Sequence, residues 1–271
     1  MVRDPVTVDA SEDVSRALQI MLFRGLRHLP VLRDGRLVGI VSERDILAGR
    51  LEDESFYEAS SRRVCDVMTS PAEQVHPNQD LEDAAGAMAV HKLGCLPVVD
   101  AGRVVGLLTA IDLLAHTAQS PIPQASGPDA RVGDLMTTSL LAAHPDDRLL
   151  DAAASMLQQG ARHLPVVDML DRVVGMLSDR DVRTAIGNPL EAETREEPAQ
   201  SRRLLELRVQ DAMTAEPHAM SPETQLSEAV TALLDERFGA LPIVDDDDRL
   251  LGIVSYVDVL RAIAADWEQR A

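Results

Sequence analysis

The sequence has few aromatic residues, few cysteines and little positive charge. Phe, Trp and Tyr make up 2% of the 271 residues, so few rings are available to stack on nucleic acid bases. The two cysteines, Cys65 and Cys95, form neither a disulfide framework nor a metal-binding spacing. The formal net charge of −19 disfavours binding to nucleic acids and to anionic membranes. We therefore expect neither a nucleic-acid-binding protein nor a metalloprotein.

Long apolar runs and common catalytic motifs are also absent from the sequence. No run approaches the ~18 apolar residues of a transmembrane helix, and no secretory signal is recognisable. The sequence contains no Walker loop, His-Glu-x-x-His, Cys-x-x-Cys or Gly-x-Ser-x-Gly. We expect a soluble cytoplasmic protein that is not an enzyme. His76, His144 and His218 are interpreted as polar residues at strand ends, and the acidic run Asp245–Asp248 as a solvated turn.

What the sequence does contain is one pattern in four copies. An apolar segment with Leu-Pro leads to a Gly, then to Ser or Thr, and three residues later to Asp. The four copies are Leu29-Pro30 to Asp45, Leu96-Pro97 to Asp112, Leu164-Pro165 to Asp181, and Leu241-Pro242 to Asp258. A repeat of this kind predicts small similar units that stack on one another.

Each copy is predicted to fold as β-α-β-β-α, which gives an α+β fold. In copy one, apolar residues recur at helical spacing from Val14 to Leu22, and Asp34-Gly35 is a hairpin turn signal between strands His28–Leu32 and Leu37–Ser42. The final helix is predicted to begin at the Ser or Thr. A short segment with Asp, Met and Thr, called the lead-in below, comes before each of the later copies, ending with Asp66–Thr69, Asp134–Thr137 and Asp211–Thr214. Met1 aligns with the Met of these segments.

The repeats are predicted at residues 1–50, 63–118, 131–187 and 208–264. The stretch 119–130, rich in Pro, Ser and Gly, is the predicted linker between two halves, and 191–203 is a charged connector. Units of this size bury little apolar surface alone, so we expect them to pair.

The copies fall into two alternating classes. Copies one and three have Arg-His before Leu-Pro and Arg before the Asp, whereas copies two and four have small or apolar residues there. This alternation suggests duplication of a pair. Copy one is therefore predicted to pack with copy two, and copy three with copy four.

The Ser/Thr-x-x-Asp motif has a structural interpretation. The side chain of a Ser or Thr that caps a helix accepts a hydrogen bond from the backbone N–H of the residue three positions later. An acidic side chain at that later position accepts a hydrogen bond from the backbone N–H of the Ser or Thr. Glu or Gln is the usual partner, and Asp has a shorter reach. Arg44 and Arg180 could likewise pair with acids such as Glu43 or Asp179.

The same motif also has a ligand-binding interpretation. A helix N-terminus favours phosphate, and Asp accepts two hydrogen bonds from the vicinal hydroxyls of ribose. Arginine can hold a phosphate through two N–H groups. The candidate residues are Asp45, Asp112, Asp181 and Asp258 with Ser42, Thr109, Ser178 and Ser255, and the basic residues Arg27, His28, Arg44, Arg162, His163 and Arg180.

The repeated Leu-Pro-Val … Gly-Ile-Val-Ser-x-x-Asp pattern with its Asp-x-Met-Thr lead-in resembles the cystathionine-β-synthase (CBS) domain over nearly the whole chain. The resemblance implies a mixed sheet in each copy, tandem pairs with a pseudo-twofold axis, and clefts for AMP, ADP, ATP or S-adenosylmethionine. Four copies resemble the gamma subunit of AMP-activated protein kinase and its stand-alone relatives. The resemblance also implies that the four Asp residues hold ribose, that the Ser and Thr residues contact phosphate or ribose, and that the basic residues contact phosphate. Extended segments at Val6–Val8, Val75, Ala143 and Met220 would flank adenine.

From this resemblance we expect a non-catalytic sensor that binds an adenine nucleotide as a regulatory ligand and acts on an unidentified partner protein. Because the even copies lack the basic residues, two nucleotides per chain are expected rather than four. The four copies could close into one intramolecular disc, or the chain could form a homodimer. The alternatives are an interaction scaffold with vestigial clefts, a sensor of S-adenosylmethionine, and a nucleotide hydrolase that uses His28 or His163 as its base.

Overall fold

The computed structural model describes residues 1–52, 62–118, 130–186, 206–235 and 239–270. The predicted connector 191–203 and the predicted linker, except for Ala130, lie outside the described residues. The described residues form two compact units. The first contains Met1–Gln79 and Cys95–Thr109, and the second contains Asp80–Gly94, Ala110–Ile186 and the described residues from 206 onward.

The four copies, called repeats one to four below, share the order extended segment, helix, strand, strand, helix. In repeats two to four the first extended segment is a single bridge rather than a strand. Repeat one contains β2 (Val8–Asp9), α1 (Val14–Arg24), β3 (His28–Arg33), β4 (Arg36–Ser42) and α2 (Glu43–Glu52), after β1 (Val2–Arg3). Repeat two contains α3 (Val64–Val67), α4 (Leu81–His91), β5 (Cys95–Asp100), β6 (Arg103–Thr109) and α5 (Ala110–Ala118).

Repeats three and four follow the same order. Repeat three contains α6 (Val132–Leu135), α7 (Leu149–Gln158), β7 (His163–Val167), β8 (Val173–Ser178) and α8 (Asp179–Ile186). Repeat four contains a 3₁₀ turn at Val209–Asp211, β9 (Thr214–Ala215), α9 (Leu226–Asp235), β10 (Ala240–Val244), β11 (Leu250–Ser255) and α10 (Tyr256–Arg270). The predicted β-α-β-β-α order is confirmed.

The sheet of each repeat is mixed, as predicted. The first extended segment of each repeat runs parallel to the first hairpin strand, through the pairs Val8–Val31, Val75–Val98, Ala143–Val166 and Met220–Ile243. The two hairpin strands are antiparallel in every repeat. At the predicted turn of repeat one, Asp34 and Gly35 have φ angles of 53° and 73°, which is the backbone that a tight hairpin requires.

The lead-in of each repeat joins the sheet of its paired repeat. Thr69, from the lead-in of repeat two, bridges Ile40 in repeat one, while β1 pairs with β6 of repeat two. Thr137 bridges Ile253 in repeat four, and β9 pairs with β8 of repeat three. Repeats one and two therefore pair with each other, as do repeats three and four, which confirms the pairing predicted from the alternation.

The lead-in methionines explain the Gly of the repeat motif. A Cβ added at Gly39 would lie 2.6 Å from the sulfur of Met68, and one at Gly252 would lie 2.6 Å from the sulfur of Met136. Met213 occupies the same place against Gly175. Because the methionine of the paired repeat fills the space that a side chain would need, a larger residue at this strand position would have to displace it.

The lead-ins also bury apolar side chains. Val64, Val132 and Val209 have no measurable exposure, and Val64 belongs to the apolar core that repeat one forms around Leu18, Met21 and Leu29. Each lead-in is thus part of its partner's fold in packing as well as in hydrogen bonding.

Within the second unit, helices of repeat two pack on helices of repeat four. α4 and α5 both contact α10, and α5 also contacts α9. Among the described residues, no helix combines the length and the apolar character that crossing a bilayer would require.

Candidate functional site

The site predicted in each repeat lies where the second hairpin strand ends and the last helix begins. We call the Ser or Thr and the Asp three residues later the junction motif. The Ser or Thr of each motif faces the first residue of the neighbouring strand, in the pairs His28–Ser42, Cys95–Thr109, His163–Ser178 and Ala240–Ser255. The fold therefore places the predicted strand-start residues beside the motif.

The backbone closes each junction in the same way. In repeats one and three, the N–H of Glu43 donates to the carbonyl of Arg27 at 3.0 Å, and that of Asp179 donates to Arg162 at 3.2 Å. Ala110 and Tyr256 make the equivalent bond to the carbonyls of Gly94 and Gly239. Arg27 and Arg162 are thereby fixed at the first turn of the helix.

In repeats one and three, the junction motif forms a reciprocal capping box. Asp45 Oδ2 accepts from the N–H and the hydroxyl of Ser42, both at 2.7 Å, and the N–H of Asp45 donates to Ser42 Oγ at 3.2 Å. The corresponding distances for Ser178 and Asp181 are 2.8, 2.6 and 3.3 Å. The shorter Asp side chain thus reaches the N–H of the capping Ser in both repeats.

In repeat four, the carboxylate of the junction motif, Asp258, is enclosed by protein groups. Ser255 donates its N–H and hydroxyl to Asp258 Oδ2 at 2.9 and 2.7 Å. Oδ1 accepts from the Thr137 hydroxyl at 3.3 Å and forms an ion pair with Arg261 at 3.3 Å. Asp258 is 7% exposed. Both of its oxygens thus have protein partners in a buried position.

In repeat three, the second carboxylate oxygen of Asp181, Oδ1, accepts no hydrogen bond from a described residue. Asp181 is half-buried. Arg180 is exposed, and its guanidinium has no hydrogen bond or ion pair with any described residue, so the predicted pairing of Arg180 with Asp179 is not observed. Arg44, its counterpart in repeat one, is half-buried.

In repeat two, apolar residues occupy two positions beside the junction motif that are polar in repeat one. Thr109 ends β6, and Asp112 is the third residue of α5. Cys95 and Ala110, which occupy positions that are His28 and Glu43 in repeat one, are 4% and 3% exposed. Cys95 is thus a buried thiol that forms no disulfide with Cys65.

Arg162 is held by two other repeats within the second unit. Its NH1 donates to the hydroxyl of Tyr256 in repeat four, and its NH2 donates to the carbonyl of Lys92 in repeat two at 2.9 Å. The guanidinium carbon lies 5.8 Å from the centre of the Tyr256 ring. His163 lies against Gly239, where a Cβ would collide with its ring. The junctions of repeats three and four therefore meet.

Four groups at these junctions were missed by sequence analysis. They are Tyr256, the Lys92 carbonyl, Thr137 and Arg261. Tyr256 had a sequence signal, since it follows Ser255 where the other repeats have Glu, Ala or Asp. Arg261 also had one, since it follows Asp258 by three residues on the same helix. The Lys92 carbonyl and Thr137 have none, because their contacts depend on how the repeats pack.

The remaining titratable groups point to no second site. Among the described residues, no cluster of His, Cys, Asp and Glu is arranged to hold a metal ion. His144 and His76 contact backbone groups near the first strands, as predicted. In the turn of repeat four, Asp245 Oδ1 accepts from the N–H groups of Asp247 and Arg249, both at 2.9 Å.

Two carboxyl groups outside the junctions have shifted pKa values. The hydroxyl and the N–H of Ser11 lower the pKa of Asp9. Hydrogen bonds from the side chain and the backbone of Arg172 lower the pKa of Asp168 at the hairpin tip of repeat three.

Comparison with known proteins gives relatives that match the whole chain. Protein MJ1225 of Methanocaldococcus jannaschii is 26% identical over 273 residues, covering 96% of this chain and 95% of that protein. Its crystal structure, described as a proposed archaeal homologue of γ-AMPK, matches with a TM-score of 0.85 at 24% identity, covering 96% of each chain. A conserved protein from Pyrococcus horikoshii matches with a TM-score of 0.65 at 20% identity, covering 97% of each chain.

A shorter relative is more similar in sequence. The CBS domain-containing protein YhcV of Bacillus subtilis (strain 168) is 36% identical over 121 residues, which are 44% of this chain and 81% of that protein. The CBS domain itself matches this chain four times, at residues 1–52, 64–118, 132–188 and 209–265. The chain therefore belongs to the CBS domain family.

Proposed function

We propose that this chain is a non-catalytic regulatory sensor that binds an adenine nucleotide at its odd-numbered repeats and transmits occupancy to a partner protein. The observation that supports this most directly is the junction motif of repeat three. There, a half-buried carboxylate with one unused oxygen lies beside a helix N-terminus, with Arg162, His163 and Arg180 on adjoining positions.

The chemistry of this junction suits a ribose phosphate. The Asp181 Oδ1 can accept from a ribose hydroxyl without losing its bonds to Ser178. The free N–H groups at the start of a helix attract phosphate, and Arg180 can add a bidentate contact. Repeat one has the same motif distances and the same basic residue types.

The even-numbered repeats are poorer candidates. In repeat four, a ribose would have to displace Thr137 and Arg261 from a buried carboxylate. In repeat two, the positions of the basic residues hold Gly94, Cys95 and Ile111. Two nucleotides per chain are therefore proposed, at repeats one and three.

The capping-box geometry supports a second candidate. The Ser–Asp hydrogen bonds form without any ligand, so the chain could be an interaction scaffold whose junctions only stabilise helices. That function and the sensor differ in one measurable respect, which is whether the junctions of repeats one and three bind nucleotide.

Isothermal titration of the whole chain with AMP, ADP, ATP and S-adenosylmethionine tests the proposal. We expect about two sites per chain for one adenine nucleotide, one site after Asp181→Asn, and no measurable binding after Asp45→Asn with Asp181→Asn. Thermal unfolding gives a second readout, since ligand at a hundred times its Kd stabilises a protein by about 2.7 kcal/mol.

The matched control is Asp112→Asn with Asp258→Asn, which should keep both sites. If no adenine nucleotide binds, the scaffold is the better description, and if only S-adenosylmethionine binds, the ligand class is wrong. Release of ADP from ATP during the titration would instead indicate a hydrolase.

A further inference from the structure

We propose that Arg162 links nucleotide binding at repeat three to the packing of repeats two and four, because a ligand phosphate competes with Tyr256 and the Lys92 carbonyl for the same guanidinium. This inference rests on the proposed function. It assigns to Arg162 a role that goes beyond contacting phosphate, which is to hold three repeats together until ligand arrives.

The position of Arg162 places it at the junction of repeat three. Its carbonyl accepts from the N–H of Asp179, the first residue of α8. The next residue, His163, pairs across the sheet with Ser178 of the junction motif. A phosphate at the N-terminus of α8 would therefore lie close to the start of the Arg162 side chain.

The guanidinium itself is directed away from repeat three. Its two terminal nitrogens donate to Tyr256 and to the carbonyl of Lys92. Tyr256 is 7% exposed and is the first residue of α10. Lys92 is the left-handed C-cap of α4, with a φ angle of 53°. Arg162 thus connects the beginning of one helix to the end of another.

Both contacts are ones that a phosphate can replace. A bidentate contact to phosphate uses neighbouring N–H groups, at least one of which is on a terminal nitrogen. A charged phosphate is also a stronger acceptor than a neutral hydroxyl or carbonyl. Since the last carbonyls of α4 need donors or cations, removal of Arg162 should loosen the C-terminal turn of that helix.

The consequence is that nucleotide binding at repeat three and the contacts of Arg162 with repeats two and four oppose each other. Nucleotide binding should weaken the contact of Arg162 with α4 and α10, and weakening that contact should strengthen nucleotide binding, because the two effects are reciprocal. A ligand without phosphate should produce neither effect. The phosphate, rather than the adenosine, would then be the signal that reaches repeats two and four.

The test compares AMP with adenosine in the whole chain, by isothermal titration and by hydrogen exchange. Tyr256→Phe removes the acceptor hydroxyl but keeps the ring. We expect it to tighten AMP binding at repeat three by about fivefold, a typical size for coupling between sites, and to leave adenosine binding unchanged. Arg162→Gln should weaken AMP binding at repeat three and leave adenosine binding unchanged. Arg172→Gln, which removes an arginine at a hairpin tip, is the matched control and should change neither.

Hydrogen exchange supplies a readout that does not depend on affinity. AMP should speed exchange of the backbone amides at residues 88–94 in the original chain, adenosine should not, and in Arg162→Gln these amides should exchange fast without ligand. If Tyr256→Phe leaves AMP binding unchanged or weakens it, Arg162 does not act by competition and the inference is overturned, although the proposed function stands. If neither AMP nor adenosine binds the original chain, the proposed function itself fails.

Discussion

Repeats three and four contain the same junction motif in different surroundings. Asp181 is half-buried and keeps one carboxylate oxygen without a partner among the described residues, whereas Asp258 is 7% exposed and uses both oxygens inside the protein. The comparison teaches that Ser-x-x-Asp does not by itself define a binding site. What differs is whether the paired repeat supplies a hydroxyl, here that of Thr137, and whether the motif's own helix supplies a cation, here Arg261.

The largest difference between the two repeats should appear in stability. Asp258→Ala removes the acceptor for Ser255, Thr137 and Arg261 in a buried position, and we expect a loss of about 2–3 kcal/mol in the free energy of unfolding. Asp181→Ala removes a capping partner in a half-buried position and should cost about 1 kcal/mol. Urea denaturation of both variants measures this, and equal losses would show that the two carboxylates have the same structural role.

The glycine facing the lead-in methionine should behave alike in both repeats. Gly175→Ala and Gly252→Ala each place a methyl group against a methionine side chain, Met213 or Met136. Overpacking of this kind costs about 1–3 kcal/mol, and we expect the two losses in unfolding free energy to agree closely. A large difference would mean that the two repeats differ in backbone packing as well as at the carboxylate. Gly86→Ala, in a helix where a Cβ meets nothing within 4 Å, is the control.

A smaller effect should distinguish the two lead-in threonines. The hydroxyl of Thr137 donates to Asp258 at 3.3 Å, so Thr137→Val should reduce the unfolding free energy by about 1 kcal/mol. Thr214 has the equivalent position facing repeat three, but its hydroxyl makes no hydrogen bond with any described residue, so Thr214→Val should change stability by less than about 0.5 kcal/mol. If both substitutions are neutral in thermal unfolding, Thr137 does not help to enclose Asp258.

The smallest expected effect lies at the hairpin tip of repeat three. Arg172 lowers the pKa of Asp168, so the charged carboxylate is favoured in the folded state. Its contribution to stability is present above the ordinary pKa of an aspartate and is lost as the pH falls through the lowered value. An NMR titration should show the pKa of Asp168 rising in Arg172→Gln. An unchanged pKa would mean that the backbone donors alone cause the shift.

Much of the fold could be predicted from the sequence because its signals are local. The hairpin at Asp34-Gly35, the helix from Val14 and the helix start after Ser42 depend on residues a few positions apart. The pairing of repeats was also predictable, since Arg27 and Arg162 mark one class of repeat and Gly94 and Gly239 mark the other.

The candidate sites were predicted less completely. The motif residues were identified, and the Ser–Asp bonds of three repeats were anticipated as one of two interpretations. The contacts of Arg162 with Tyr256 and Lys92 were not, because these residues are far apart in the sequence and no motif connects them. The same holds for Thr137 and Asp258.

The sequence by itself determined the repeat, the order of elements and the residue types at each junction, because hydrophobic periodicity, turn residues and helix caps act over short distances. Only the tertiary structure decided which junction is enclosed and which keeps a carboxylate oxygen available. That outcome depends on where the paired repeat places its lead-in threonine, as Thr137 on Asp258 shows. Such contacts join residues distant in sequence, and no pattern within one repeat specifies them.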